Sequence, residues 1–141
     1  MNAALDPSVL ATAFPHVEPT LASRLVASGL KPLRLAGREL LPVVQGGMGV
    51  GVSAHGLAGA VAHDGGVGTL SSVDLRRHHP DLMDRTRGLD MGHVEHARRI
   101  IDDANLEALT REVLSAREAA GGRGLIAINV MRAVSAYAAS V

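Results

Sequence analysis

A chain of 141 residues is the length of one ordinary domain, and with 47% hydrophobic residues it can bury a core. Its 14 basic and 14 acidic residues cancel without a long run of one sign, which argues against nucleic acid or an anionic membrane as partner. The lack of cysteine removes disulfides and thiolate metal sites, no apolar run reaches the ~20 residues that span a bilayer, and no signal-peptide pattern opens the chain, so a cytoplasmic protein is expected.

In chain order, residues 1–20 carry Pro7, Pro15 and Pro19 with little periodicity and read as a loose lead-in. Residues 21–30 have the makings of a short helix closed by Gly29 or stopped before Pro32. "LRLAGRELL" reads as two short strands around a tight Ala36-Gly37 turn, so residues 1–40 form an N-terminal extension and hairpin. "LPVVQ" lacks alternation and is expected to be a strand buried on both faces. Residues 54–64 follow as a helix, with Ser53 as its N-cap and Gly65-Gly66 at its end. "VGTLS" is a second buried strand. Two helices are expected in 94–120, the second capped by Asn105, before a third buried strand, "LIAINV". Residues 133–141 begin another helical pattern.

Strands alternating with helices imply a parallel sheet. The near-absence of aromatics (one Phe, one Tyr) leaves Ala, Val, Leu and Ile to fill the core, which suits close-packed α/β layers or reflects coding bias.

The densest signal is "QGGMGVGVS", residues 45–53, between a strand pattern and a helix pattern. Gly49, Gly51 and Ala54 fit G-x-G-x-x-A, the dinucleotide fingerprint, with Asp74 as the acidic ribose partner. A purely structural reading, glycines for a tight turn and close helix packing, competes with it. The longer pattern is more specific. Gln45-Gly46-Gly47-Met48, Val52-Ser53, Gly65-Gly66-Val67-Gly68 and Asn129-Val130-Met131 occur in the order and spacing found in the nitronate monooxygenase (2-nitropropane dioxygenase) family. The chain resembles the N-terminal part of that family over residues 42–131.

The resemblance implies an α/β fold, the N-terminal portion of a (β/α)8 barrel with about three parallel strands in residues 41–141. It implies FMN as cofactor, with Gly47, Met48, Gly49 and Val50 lining the flavin seat and Asn129 offering its amide to the ring edge. Core packing for Met48 and helix capping for Asn129 are the bland alternatives. The reaction implied is oxidation of an anionic alkyl nitronate by O2 to a carbonyl compound and nitrite. A flavin-dependent enoyl-acyl-carrier-protein reductase and a non-catalytic truncated barrel are the alternatives. No catalytic residue carries over, since the family's histidine and phosphate grip belong to later strands. The isolated chain is therefore expected to be inactive, a fragment prone to self-association or homo-oligomer formation through open barrel edges.

The long connection from 72 to 124 departs from the family pattern. It holds His78, His79, His93 and His96, with Asp81 and Glu95 nearby, but their spacing supports no metal site. Arg76, Arg77, Arg85 and Arg87 read either as an attractor for an anion or acyl carrier, or as a solvated face paired with Asp81, Asp84 and Asp90.

Overall fold

The computed structural model describes residues 6–89 and 91–131. It begins with two short helices, α1 (Pro7–Ala13) and α2 (Pro19–Ser28), where the sequence reads as a loose lead-in. The prolines are the reason. Each occupies the first helical turn, where a missing N–H costs nothing, and the Asp6 and Glu18 carboxylates accept from the free N–H groups that follow. Gly29, at φ 66°, closes α2 as expected. Leu10, Phe14 and Leu25 bury against one another and against Leu41, forming one apolar cluster.

Strands β1 (Leu33–Leu35) and β2 (Arg38–Leu40) pair antiparallel about the Ala36-Gly37 turn. Both turn residues have positive φ, 50° and 73°, the geometry of a type I′ hairpin. Arg38 ties this hairpin to a distant turn: its guanidinium donates to the carbonyls of Gly122, Arg123 (2.8 Å) and Gly124 (2.6 Å).

The centre is an α/β layer. Helix α3 (His55–His63) and the long helix α5 (Val94–Ala120) pack together over the parallel pair β3 (Val67–Ser71) and β4 (Leu125–Asn129). β3 is wholly buried. Small residues permit the close approach: a Cβ on Gly68 would run into the Ala58 carbonyl, and one on Gly59 would lie 2.7 Å from Ala119 Cβ. Ala58, Leu70 and Ala116 form the cluster between the layers. Leu75, at the 3-10 turn Leu75–His78, and Leu82, in α4 (Pro80–Arg85), pack against Ala104, Ala108 and Leu109.

Three expectations are corrected. The two helices expected in 94–120 are one, since no Gly or Pro interrupts the stretch; Asn105 lies inside it, and its Oδ1 accepts from the Arg76 N–H at 3.4 Å. The second correction is the fold class. The described residues form a small mixed α/β domain with two two-stranded sheets, not three parallel strands of a barrel. In backbone pairing the run 41–45 meets β3 at a single parallel bridge, Val44 to Val67. Pro42 has no N–H to offer, the Val43 N–H is spent on the Leu41 carbonyl at 2.7 Å, and Val44 is 61% exposed. The third is β4, which is only half-buried, with Ile128 39% exposed, and not shielded on both faces. The helical pattern read in 133–141 lies outside the described residues.

Candidate functional site

The glycine loop leaves the α/β layer where residue 45 stops behaving as strand. The Gln45 N–H still bonds the Val67 carbonyl at 2.9 Å, but the next rung is made by its side chain: Oε1 accepts from the Thr69 N–H at 2.9 Å. The backbone is thereby released to turn. Gln45 Nε2 donates to Ser53 Oγ at 2.8 Å, and the same oxygen accepts from the Met48 N–H at 2.8 Å. The Ser53 N–H returns to the Met48 carbonyl at 3.1 Å, while its own carbonyl accepts from Ser71 at 3.0 Å. Ser53 is completely buried and clasps the loop on itself. It is not the N-cap of α3: Ala54 holds that position without a side-chain bond.

The loop brings together residues far apart in the chain. A Cβ on Gly47 would lie 2.6 Å from Asn129 Cβ and 2.8 Å from its Nδ2, so only glycine lets the loop cross the end of β4. A Cβ on Gly49 would face Ser71 Oγ at 3.6 Å. Met48 and Val50 point outward, 44% and 53% exposed, and Asn129 is exposed at the C-terminal end of its strand. The N–H groups of Gly47, Gly49 and Val50 carry no hydrogen bond to a described residue. This is an outward apolar ledge with unspent donors beside it, a surface that suits a flat ring with a polar edge. All five residues expected to seat a flavin thus lie in one neighbourhood.

The dinucleotide alternative finds less footing. The Asp74 carboxylate is engaged by Arg76 at 3.1 Å and by Arg77 at 2.6 Å. Gly51, at φ 78°, has the His78 ring against its α-carbon.

A second group stands directly behind the loop, where helix α3 starts. Glu112, in the middle of α5, is 1% exposed. Its Oε2 accepts from the His55 N–H at 2.7 Å and lies 2.8 Å from His55 Nδ1. Its Oε1 lies 3.1 Å from His79 Nε2, an ion-pair distance without hydrogen-bond alignment. Burial pushes the carboxyl upward, but the His55 N–H and ring, and charge on His55 and His79, outweigh it and leave the group below the ordinary carboxylate value. Glu112 thus caps the helix that Ala54 leaves uncapped. The sequence signal for it is faint: an acid four residues from both Ala108 and Ala116, on the buried stripe of α5.

The remaining histidines and arginines separate. Among the described residues no group of three or more His, Asp or Glu side chains is placed to hold a metal ion. Arg76 and Arg77 pair with Asp74, Arg85 with Glu107 and Arg87 with Asp84, while Asp81 is taken by Arg111. These cations face local acids, as a solvated surface would arrange them. Asp90 lies outside the described residues. No described helix is long and apolar enough to cross a membrane. In comparisons with known proteins, no family model, no curated protein and no solved structure matches this chain.

Proposed function

We propose that this chain binds FMN through its glycine loop and takes part in oxidising alkyl nitronates with O2 to a carbonyl compound and nitrite. The observation that supports the reading is the meeting of Gly47 with Asn129, 82 positions later in the chain. Two motifs that resemble separate parts of one flavin seat come into contact at the C-terminal ends of parallel strands. That is where open α/β sheets place their ligands.

Each residue has a role it can perform. Met48 and Val50 offer an apolar, polarizable surface to a ring face. The free N–H groups of Gly47 and Gly49 and the Asn129 amide offer hydrogen bonds to the ring's polar edge. Ser53 and Gln45 hold the loop in shape before any ligand arrives, which lowers the ordering cost of binding. FMN, when bound, supplies the redox chemistry. The described residues seat and orient it, and none of them is assigned a catalytic step.

The experiment is direct. The purified chain is mixed with FMN, passed through gel filtration and examined for flavin absorbance; co-elution is expected. Gly47→Leu, which drives a side chain into Asn129, is expected to abolish it while the helical circular dichroism persists. A wild-type chain that elutes colourless and leaves flavin fluorescence unchanged refutes the reading.

A further inference from the structure

A cleft of about 420 Å³ lies between β4 and the last turns of α5, a volume within the ~300–1,000 Å³ usual for small-molecule sites. Val113, Arg117 and Ala120, at helical spacing on α5, form one wall, and Leu125, Ile126 and Ile128 of β4 form the other. Successive strand residues point to opposite faces, so a cleft that takes both Leu125 and Ile126 wraps the edge of β4 away from β3. Apart from two arginines the side chains lining it are aliphatic, with no hydroxyl, amide or acid among them.

The two arginines are Arg38 and Arg117. Arg38 is held in place, since its bonds to the carbonyls of Gly122, Arg123 and Gly124 spend three of its N–H donors and leave two of five free. Arg117 is exposed in the last turn of α5 and has no hydrogen bond or ion pair to a described residue. Glu39, the acid next to Arg38 in sequence, is engaged by Arg34 at 3.4 Å. The pair thus differs from Arg76, Arg77, Arg85, Arg87 and Arg111, each of which meets a carboxylate. The C-terminal dipole of α5 offers only about half a negative charge against them. A positive excess is left beside an aliphatic slot.

We infer that this cleft is a binding site for a small aliphatic carboxylate, with its head on Arg38 and Arg117 and its chain along Val113, Ile126 and Ile128. Guanidinium donors match the paired oxygens of a carboxylate. Walls without a hydrogen-bonding side chain disfavour hydroxy and amino acids, whose further polar groups would be buried unpaired. The larger cavity between α1 and α2, about 590 Å³, is also apolar, but Ser23 is its one polar side chain and no cation lines it. None of Gly47, Met48, Gly49 or Val50 lines the α5–β4 cleft, so the site stands whether or not the loop binds flavin.

The test titrates the wild-type chain with acetate, butanoate, octanoate and octanol, followed by NMR shifts of backbone amides and methyl groups. Octanoate is expected to bind saturably, with shifts concentrated at Val113, Leu125, Ile126 and Ile128. Affinity is expected to rise about threefold per methylene from butanoate to octanoate, while acetate shows no saturation. Octanol keeps the chain but not the charge and is expected to bind about tenfold more weakly than octanoate. Arg117→Gln, with unchanged circular dichroism, is expected to lose about tenfold for octanoate and nothing for octanol, the worth of a charge-assisted hydrogen bond. Arg117→Lys keeps the charge and should recover most of the loss. Equal affinity for octanol and octanoate, or no effect of Arg117→Gln, overturns the role of the cations. Shifts at Leu10 and Val26 in place of β4 put the chain in the α1–α2 cavity and overturn the site. If octanoate gives no saturable shift while raising the protein concentration alone moves the β4 residues, the cleft receives a second copy of the chain and the site is likewise overturned.

Discussion

Glu112 Oε2 receives the backbone N–H of His55 at 2.7 Å across 57 positions of sequence. A carboxylate in the middle of one helix thus serves as the cap of another. The contact couples the long helix α5 to the glycine loop, because His55 begins two residues after Ser53. Removing the carboxylate leaves the His55 N–H and two imidazole contacts unanswered. Glu112→Ala is expected to lower stability by about 3 kcal/mol, measured by urea denaturation at neutral pH. A loss under about 0.5 kcal/mol, the range of an ordinary surface change, would contradict a capping role.

The same group predicts a pH dependence with a definite sign. Its folded pKa is depressed below the ordinary carboxylate value, chiefly because the His55 N–H and ring outweigh the cost of burial. Its charge therefore contributes stability that is present above that value and is lost as pH falls through the folded pKa. The stability difference between wild type and Glu112→Gln is expected to be largest near neutrality and to shrink on acidification. Urea midpoints for both proteins across that range provide the check; a gap that stays constant into acid would rule out linkage to this carboxyl.

Ser53 predicts a local effect. Its hydroxyl accepts from the Met48 N–H and from Gln45 Nε2, both at 2.8 Å, at a fully buried position. Ser53→Ala strands those donors and is expected to cost about 1–3 kcal/mol. Amide exchange should accelerate first at Met48, with β3 remaining protected. Uniform acceleration through the domain would mean that the residue supports the core and not the loop.

Gly68 predicts a global effect. It faces the Ala58 carbonyl so closely that any Cβ must push α3 off the sheet. Gly68→Ala is expected to destabilise by about 3 kcal/mol or more, at the upper end for overpacked cores. Gly56, with open space around it, is the control: alanine there should be neutral or slightly stabilising, since it raises helix propensity. Thermal melts of the two variants separate packing from propensity.

The free side of β4 predicts association. Among the described residues β4 pairs with β3 alone, and its five residues include Leu125, Ile126 and Ile128 and no charged side chain. Uncharged apolar edges recruit further strands. The chain is expected to self-associate with rising concentration, and Ile128→Lys to shift it toward monomer in light scattering. Identical, concentration-independent masses for both proteins would refute this.

Much of the local structure was legible in the sequence, because its causes are local. Ala36-Gly37 specified the hairpin, Gly29 ended α2, and the apolar spacing of 94–120 marked helical structure, though as two helices where the chain forms one. Pro7 and Pro19, in a stretch that reads as a loose lead-in, each open a helix instead, because the Asp6 and Glu18 carboxylates before them accept from the first free N–H groups. The strand expected at 41–45 failed for a reason composition does not carry: Gln45 substitutes its side chain for the next backbone rung, and that choice depends on Thr69 being within reach.

The residues of "QGGMGVGVS" and Asn129 were each visible as motifs, but their contact was not. Gly47 and Asn129 meet only because the register of β3 with β4 puts position 129 beside Ser71, beneath the loop. Glu112 was hidden for a related reason. An acid on a helix reads as solvated unless its burial is known, and burial is a property of the helix that packs over it. By itself the sequence determined the hairpin turn, the glycine that closes α2 and the buried strand β3, through interactions within a few residues. Which polar groups are buried and which are paired was decided only by tertiary packing, since desolvation and hydrogen bonding at each depend on partners tens of residues away.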